Sequence, residues 1–204
     1  MNYLSGQFVF LQFESDVVSS EKHPFSLAST PNDRELSIVV KALGDYTSKL
    51  PNLAVGTKVK IEGPYGNFVY YKTFRPNNKK QIWVAGGSGI APLLGMARDL
   101  ASRTISSADY DVDLYYTVRG KADLAFSDEL EAIAKKLPNF RLIPFVSEEQ
   151  GYLNVETIMK TSEGIAGKEV FICGPPPMMA GLKKQFADID IPRYSVHTEE
   201  FKLL

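Results

Sequence analysis

Three short segments hold the residue types that could do chemistry. The first is Gly86-Gly87-Ser88-Gly89, which follows the apolar run Ile82, Trp83, Val84, Ala85 and precedes a helical pattern of Ile90, Leu93, Leu94, Ala97 and Leu100. Glycines let a ligand approach the backbone closely, and the helix start beyond them offers unpaired N–H groups and a positive dipole end to an anion such as a pyrophosphate. Pro92 suits the first turn of that helix, where its missing N–H removes nothing useful. The turn lacks the G-x-G-x-x-G spacing of the common dinucleotide fingerprint, so tight strand-to-helix packing is an equal reading. The second segment is Cys173-Gly174-Pro175-Pro176-Pro177-Met178, a rigid loop after the apolar strand Val170, Phe171, Ile172. It carries one polarisable sulfur, which is either a buried structural thiol or the rim of a ligand site. With no basic residue or histidine beside it in sequence, Cys173 is a poor candidate for a nucleophile. The third is His23-Pro24-Phe25-Ser26, whose alternation along a strand puts His23 and Phe25 on one face and Ser26 on the other. That set could hold an aromatic, phosphate-bearing cofactor, or be a half-buried strand with a core Phe.

The elements that must position these segments fall into two kinds. Residues 1 to 78 read as β, with strands expected at 7–13, 25–28, 35–41, 58–62 and 67–71 and a short helix at 46–50. From residue 79 onward, strands alternate with helices of ten or so residues: strands at 81–85, 113–118, 140–146, 169–172 and 194–197, helices at 90–102, 126–137, 155–161 and 177–187. Such alternation implies βαβ units and a parallel sheet. The polar segment KTFRPNNKK (residues 72–80) reads as the linker. The expectation is an antiparallel β-domain followed by a doubly wound α/β domain, with ligands at the carboxyl ends of the parallel strands. Three loops qualify: 86–89, 118–121 and 173–177.

Composition narrows the function class. The 204 residues are 44% hydrophobic and 23% charged, the balance of an ordinary globular chain. A net charge of -1 offers no concentrated basic face for nucleic acid. No apolar run approaches the length of a membrane span, and a single cysteine excludes an internal disulfide and fits a reducing, cytoplasmic setting. Two histidines and one cysteine, scattered, predict no metal.

The order HPFSLAS, VKALGDYTSKL, GPYGNF, VAGGSGIAPLLGMARDL, YYTVRGKADLAFSDEL, CGPPPMM and a terminal EEF resembles the ferredoxin-NADP reductase family, most closely its ferric reductase and NADPH oxidase branch. The resemblance covers essentially the whole chain. It implies a flavin-binding β-barrel in residues 1–78 and an NAD(P)-binding domain in 79–204, with FAD and NADH or NADPH as cofactors. In the family an Arg-x-Tyr-Ser segment grips the flavin. Here Phe25 would stack on the isoalloxazine, Ser26 would hydrogen-bond its N5, and His23, beside Pro24, would meet the pyrophosphate in place of the arginine. Lys41, Gly44, Thr47 and Ser48 match the second flavin segment. Gly86, Gly87, Ser88, Gly89, Ile90 and Pro92 match the nicotinamide-dinucleotide pyrophosphate loop, and Cys173, Gly174, Pro175 and Met178 the segment beside the nicotinamide. Glu200 and Phe201 match the terminal acidic-aromatic pair near the flavin ring.

The implied reaction is hydride transfer from NAD(P)H to FAD, followed by single-electron release to an acceptor: the haem of a membrane domain, ferric iron or a redox protein. Arg119 and Ser147 match positions around a 2′-phosphate, whereas Glu148 repels one and favours a free ribose, so the balance leans slightly to NADH. A non-catalytic module that keeps the fold and binds nucleotide is the rival reading, favoured by His for Arg and Phe for Tyr. Only 22 residues precede His23, fewer than the family's barrel strands need. The expectation is therefore an incomplete barrel, either a fragment or a natural truncation of a longer reductase, with a cytoplasmic site at the inner face of a membrane, and an exposed β edge open to pairing with another copy.

Overall fold

The computed structural model describes residues 1–73, 75, 78–103 and 109–200. Residues 1–73 build a three-stranded antiparallel sheet in the order β2-β1-β3 from β1 (Phe8–Phe13), β2 (His23–Ser26) and β3 (Val59–Tyr65). From residue 80, a five-stranded parallel sheet runs in the order β6-β5-β4-β7-β8, made of β4 (Lys80–Gly86), β5 (Asp111–Val118), β6 (Phe140–Val146), β7 (Glu169–Cys173) and β8 (Val196–Thr198). Helices α1 (Ile90–Ser102) and α2 (Ser127–Lys136) cover one face. The short α3 (Ser147–Gln150) follows β6, and α4 (Val155–Thr161) and α5 (Pro176–Asp188) cover the other face. This is the β plus doubly wound α/β architecture that the alternation of strand and helix patterns implies. No helix among the described residues is long and apolar enough to cross a membrane.

The strand order decides where a ligand can sit. β4 pairs β5 on one side and β7 on the other, so the chain leaves the sheet in opposite directions at their carboxyl ends and a crevice opens between them. β4 and β7 are buried along nearly their whole length, as continuous apolar strands with helices on both faces should be.

Three expected elements take another form. Residues 67–71 are not a strand. Phe68 meets Phe171 edge-on at 5.3 Å and Tyr70 meets Trp83 at 5.8 Å, so the segment serves as an aromatic plug between the two sheets. The Tyr70 hydroxyl donates to Asp99 (2.8 Å), and the Tyr70 carbonyl accepts from Gln81 Nε2 (2.7 Å), which satisfies the plug's polar groups. Residues 35–41 form no ladder. Their backbone pairing is the bridge Leu27↔Ile38, supported by Ala28 N donating to the Ser37 carbonyl at 2.8 Å, while Ile38 and Val40 pack on the core of the antiparallel sheet. The expected helix at 46–50 is a run of turns ending in a 3₁₀ turn at Leu50–Asn52: Pro51 has no N–H to give the Thr47 carbonyl, and the last turn closes through Asn52 N to Lys49 O (2.9 Å) and Leu53 N to Leu50 O (3.1 Å).

Arg98 locks the two halves together. Its guanidinium forks onto Glu129 (2.6 and 2.8 Å) and donates to the Ala28 carbonyl (2.8 Å). At the far edge, Arg75 donates to buried Glu169 (2.9 Å) and to Ser195 Oγ (2.7 Å), while His197 stands 2.8 Å from the other Glu169 oxygen. These bonds fix β8, and β8 delivers the residues that follow it to the crevice.

Candidate functional site

A cleft of about 580 Å³ lies where the antiparallel sheet meets the carboxyl ends of β4 and β7. It is lined by Pro24, Phe25 and Ser26 from β2, Lys41, Leu43 and Thr47 from the segment after the bridge, the 86–89 turn, and Cys173, Gly174 and Pro175 from the loop after β7. Two acidic residues after β8, Glu199 and Glu200, complete it. A second cavity of about 500 Å³ adjoins, sharing Lys41, Gly86, Gly87 and Pro175 and extending along Arg119, Ser147, Tyr152 and Met178. All three loops at strand ends therefore open into one continuous depression.

Two of the three glycines are there because side chains do not fit. A Cβ on Gly86 would lie 2.7 Å from Met178 Sδ and 2.8 Å from Pro175 Cδ, and one on Gly89 would collide with the Cys173 carbonyl and sit 2.6 Å from Gly174 N. Gly87, at φ +53°, takes the left-handed conformation, and a Cβ there would meet nothing within 4 Å. The turn thus packs one side against the Cys173 loop and leaves the other side open. It leads directly into α1, whose Gly89 cap lends no side chain to the first N–H groups. Ile90 and Pro92 turn into the core instead of lining the cleft.

Three groups from distant parts of the chain meet in the lining of the cleft. Ser26 is buried, and its hydroxyl finds no side-chain partner among the described residues. Cys173 is buried as well. Desolvation first, with the Glu199 carboxylate second, pushes its thiol up to about 12, so it is neutral. Glu199 points its Oε2 inward with no hydrogen-bond partner, and burial raises its carboxyl from an ordinary 4.5 to about 7. A carboxyl of that kind holds or releases a proton near neutral pH. Sequence reading passed Glu199 over in favour of Glu200. The carboxylate of Glu200 lines the cleft wall but accepts from Lys183 Nζ at 2.9 Å. The signal available was the Glu-Glu doublet itself, whose register only β8 decides. Phe201 lies outside the described residues.

The remaining predicted residues divide. Phe25 joins Val9, Leu11 and Leu27 in the core of the antiparallel sheet while also lining the cleft. His23 is not in the cleft lining: its ring lies against Tyr46, centroids 3.7 Å apart and tilted by 33°, with Nε2 3.3 Å from Glu21. Thr47 Oγ1 accepts from Leu43 N and Gly44 N at 3.1 Å each and shapes the loop, whereas Gly44 and Ser48 remain exposed outside the cleft lining. Lys41 bridges to Asp123 at 3.1 Å across the two cavities. Arg119 and Glu148, read from sequence as rivals, pair with each other at 3.0 Å. Tyr152, 89% exposed on the rim of the second cavity, was not foreseen; an unshielded ring there can stack on a base.

These features fit an aromatic, phosphate-bearing cofactor. The cleft offers an orphaned carboxyl, a buried hydroxyl, an aromatic wall and a backbone turn that only glycine can form. Among the described residues, no group of His, Cys, Asp and Glu could hold a metal ion.

Comparison with known proteins agrees in both halves. Residues 1–69 match the model of an FAD-binding domain, and residues 83–184 that of an oxidoreductase NAD-binding domain. The ferredoxin reductase component of 3-ketosteroid-9-alpha-monooxygenase from Mycobacterium tuberculosis is 29% identical over the whole chain, which covers 56% of that protein. The electron transfer component of toluate 1,2-dioxygenase from Pseudomonas putida is 30% identical over 98% of the chain and 59% of its own length. The chain thus spans under two thirds of the relatives it matches. Among solved structures, the cytochrome P450 reductase of Amycolatopsis superposes with a TM-score of 0.80 at 26% identity, covering 98% of this chain and 62% of that one.

Proposed function

The chain belongs to the ferredoxin-NADP reductase family, with its paired FAD-binding and NAD-binding domains, and from that premise we propose that it is the reductase portion of an NAD(P)H-dependent flavin oxidoreductase. The observation that carries the reading is the meeting of Ser26, Cys173 and Glu199 in one cleft beside the glycine turn. The first cleft, in residues 1–78 and the loops above them, would hold FAD through Phe25, Ser26 and Lys41. The second, in residues 79–204, would hold the dinucleotide along Arg119, Ser147 and Tyr152. Bound FAD supplies the ring that accepts a hydride and passes electrons on singly.

The protein's own work is positional. The two sheets, locked by Arg98 and the aromatic plug, hold the cavities in register so that two ring systems can meet where the cavities join. Cys173 is too basic a thiol to act as a nucleophile and contributes bulk that excludes water. Glu199 can hold a proton at Oε2 at neutral pH. Electrons would leave to a redox protein of the kind named for the relatives, the ferredoxin or oxygenase component of a multi-part system.

The test is an anaerobic absorbance scan of the chain with FAD, before and after NADH or NADPH. Loss of the visible flavin band on adding nucleotide is the expected result. Retained flavin that neither nucleotide bleaches would leave a binding module and refute the catalytic reading.

A further inference from the structure

Helix α1 carries a glycine in its interior, Gly95, a position where alanine would hold the helix better. Its surroundings give the reason. A Cβ at Gly95 would lie 2.9 Å from the Leu27 carbonyl oxygen, 3.3 Å from that of Ser29 and 3.4 Å from the carbonyl carbon of Ala28. These are backbone atoms of the segment that continues β2, so nothing there can swing aside as the end of a side chain would. Three residues on, and on the same helix face, Arg98 donates to the Ala28 carbonyl at 2.8 Å while its fork stays on Glu129. One glycine and one arginine thus seat α1 on residues 27–29.

Both sides of this contact lead to the cleft. Residues 27–29 follow directly on Ser26, and their other side is fixed: Leu27 N donates to the Gln7 carbonyl at 2.9 Å, Ala28 N to the Ser37 carbonyl at 2.8 Å, and Tyr3 Oη to Ser29 Oγ at 2.9 Å. The helix in turn starts at the 86–89 turn, about 9 Å along its axis from Gly95, and Ala91, one turn before Gly95, lines the cleft. Leu93, Leu94, Met96 and Ala97 are wholly buried, so α1 is wedged in the core and moves only together with its turn.

We propose that Gly95 and Arg98 are positioning residues for hydride transfer. The depth at which α1 seats on residues 27–29 sets the distance between the Phe25–Ser26 strand and the 86–89 turn, and through it the distance between the two rings bound there. The proposal rests on the reductase reading above, in which a hydride, one proton with two electrons, passes from the reduced dinucleotide to the oxidised flavin. Neither residue lines either cavity, so a change at them acts on spacing and leaves the binding contacts in place. Gly95→Ala must push the helix and the segment apart by a few tenths of an ångström, because a backbone carbonyl stands under 3 Å from the new carbon.

The test is stopped-flow reduction of the flavin-loaded 204-residue chain at saturating NADH or NADPH, with flavin and dinucleotide affinities by calorimetry and unfolding by denaturant measured beside it. For Gly95→Ala the expected reduction rate is lower on the order of tenfold, short of the roughly hundredfold cost of a full ångström of misplacement. The long-wavelength charge-transfer band of the stacked rings should weaken with it. Both dissociation constants should stay unchanged, and the gain in helix propensity should hold the unfolding midpoint. Arg98→Met, which loses the bond to Ala28, should slow reduction likewise, and Arg98→Lys, which can still donate to that carbonyl, should recover part of the rate. A Gly95→Ala chain reduced at the parent rate, or slowed only in step with weaker binding or a lower midpoint, would overturn the proposal and leave the reductase reading standing. If Gly95→Ala does not fold, equal rates in the parent and both Arg98 variants would overturn it instead. A parent chain that holds no flavin, or flavin that neither nucleotide bleaches, would overturn both.

Discussion

The buried carboxyl of Glu199 makes a quantitative prediction. Burial raises it from 4.5 to about 7 with no cation to compensate. The folded chain therefore binds the Glu199 proton more tightly than the unfolded chain between those two values, and stability from this group falls as pH rises through that window. Below 4.5 both states are protonated and the penalty is absent. Above 7 it is fully present and, at ~1.4 kcal/mol per pH unit across the window, amounts to about 3 kcal/mol. Glu199→Gln keeps the volume and removes the ionisation. The variant should match the parent below pH 4.5 and exceed it above pH 7. For a chain of this size, that difference corresponds to a Tm higher by roughly 6–12 °C. Cys173, neutral across the whole range, adds no slope of its own. The assay is differential scanning calorimetry of both proteins, without flavin, over a pH series. A Tm difference that does not change with pH, or a parent that becomes the more stable protein at high pH, would refute the reasoning.

Two further predictions concern the loops. Gly89→Ala forces a Cβ into the backbone of the Cys173 loop, which cannot yield as a flexible side chain would, so the 86–89 turn and the 173–175 loop must separate. It should cost about 1–3 kcal/mol by chemical denaturation and weaken dinucleotide binding measured by calorimetry, whereas Gly87→Ala, with open space around it, should cost strain alone. Glu148→Gln releases Arg119 from an exposed pair worth no more than ~1 kcal/mol, so stability should hold. Steady-state kinetics should then shift the ratio of kcat/KM for NADPH over NADH on the order of tenfold toward NADPH, because the freed guanidinium can meet a 2′-phosphate. An unchanged ratio would remove Arg119 from the nucleotide site.

Much of the chemistry was legible before any fold was known. The strand-glycine-helix order of residues 82–102, the Cys173-Gly174-Pro175 loop and the alternation of strand and helix from residue 79 onward are local patterns, and local patterns survive folding because backbone conformation and periodicity set them. They determined the parallel sheet, the strand ends at which the cleft opens and the residue types found there. Tertiary structure decided the rest, because the remaining choices depend on neighbours far away in sequence. Residues 67–71 have the composition of a strand, yet two aromatic rings on the other sheet claim them as a plug. His23 has the chemistry to meet a phosphate, yet Tyr46 takes its ring. Glu199 and Glu200 are the same residue side by side; which one is desolvated beside Cys173 and which meets Lys183 follows from the path of β8, fixed by Glu169, His197 and Arg75. A sequence names the acid, and only packing sets the dielectric around it and hence what its proton does.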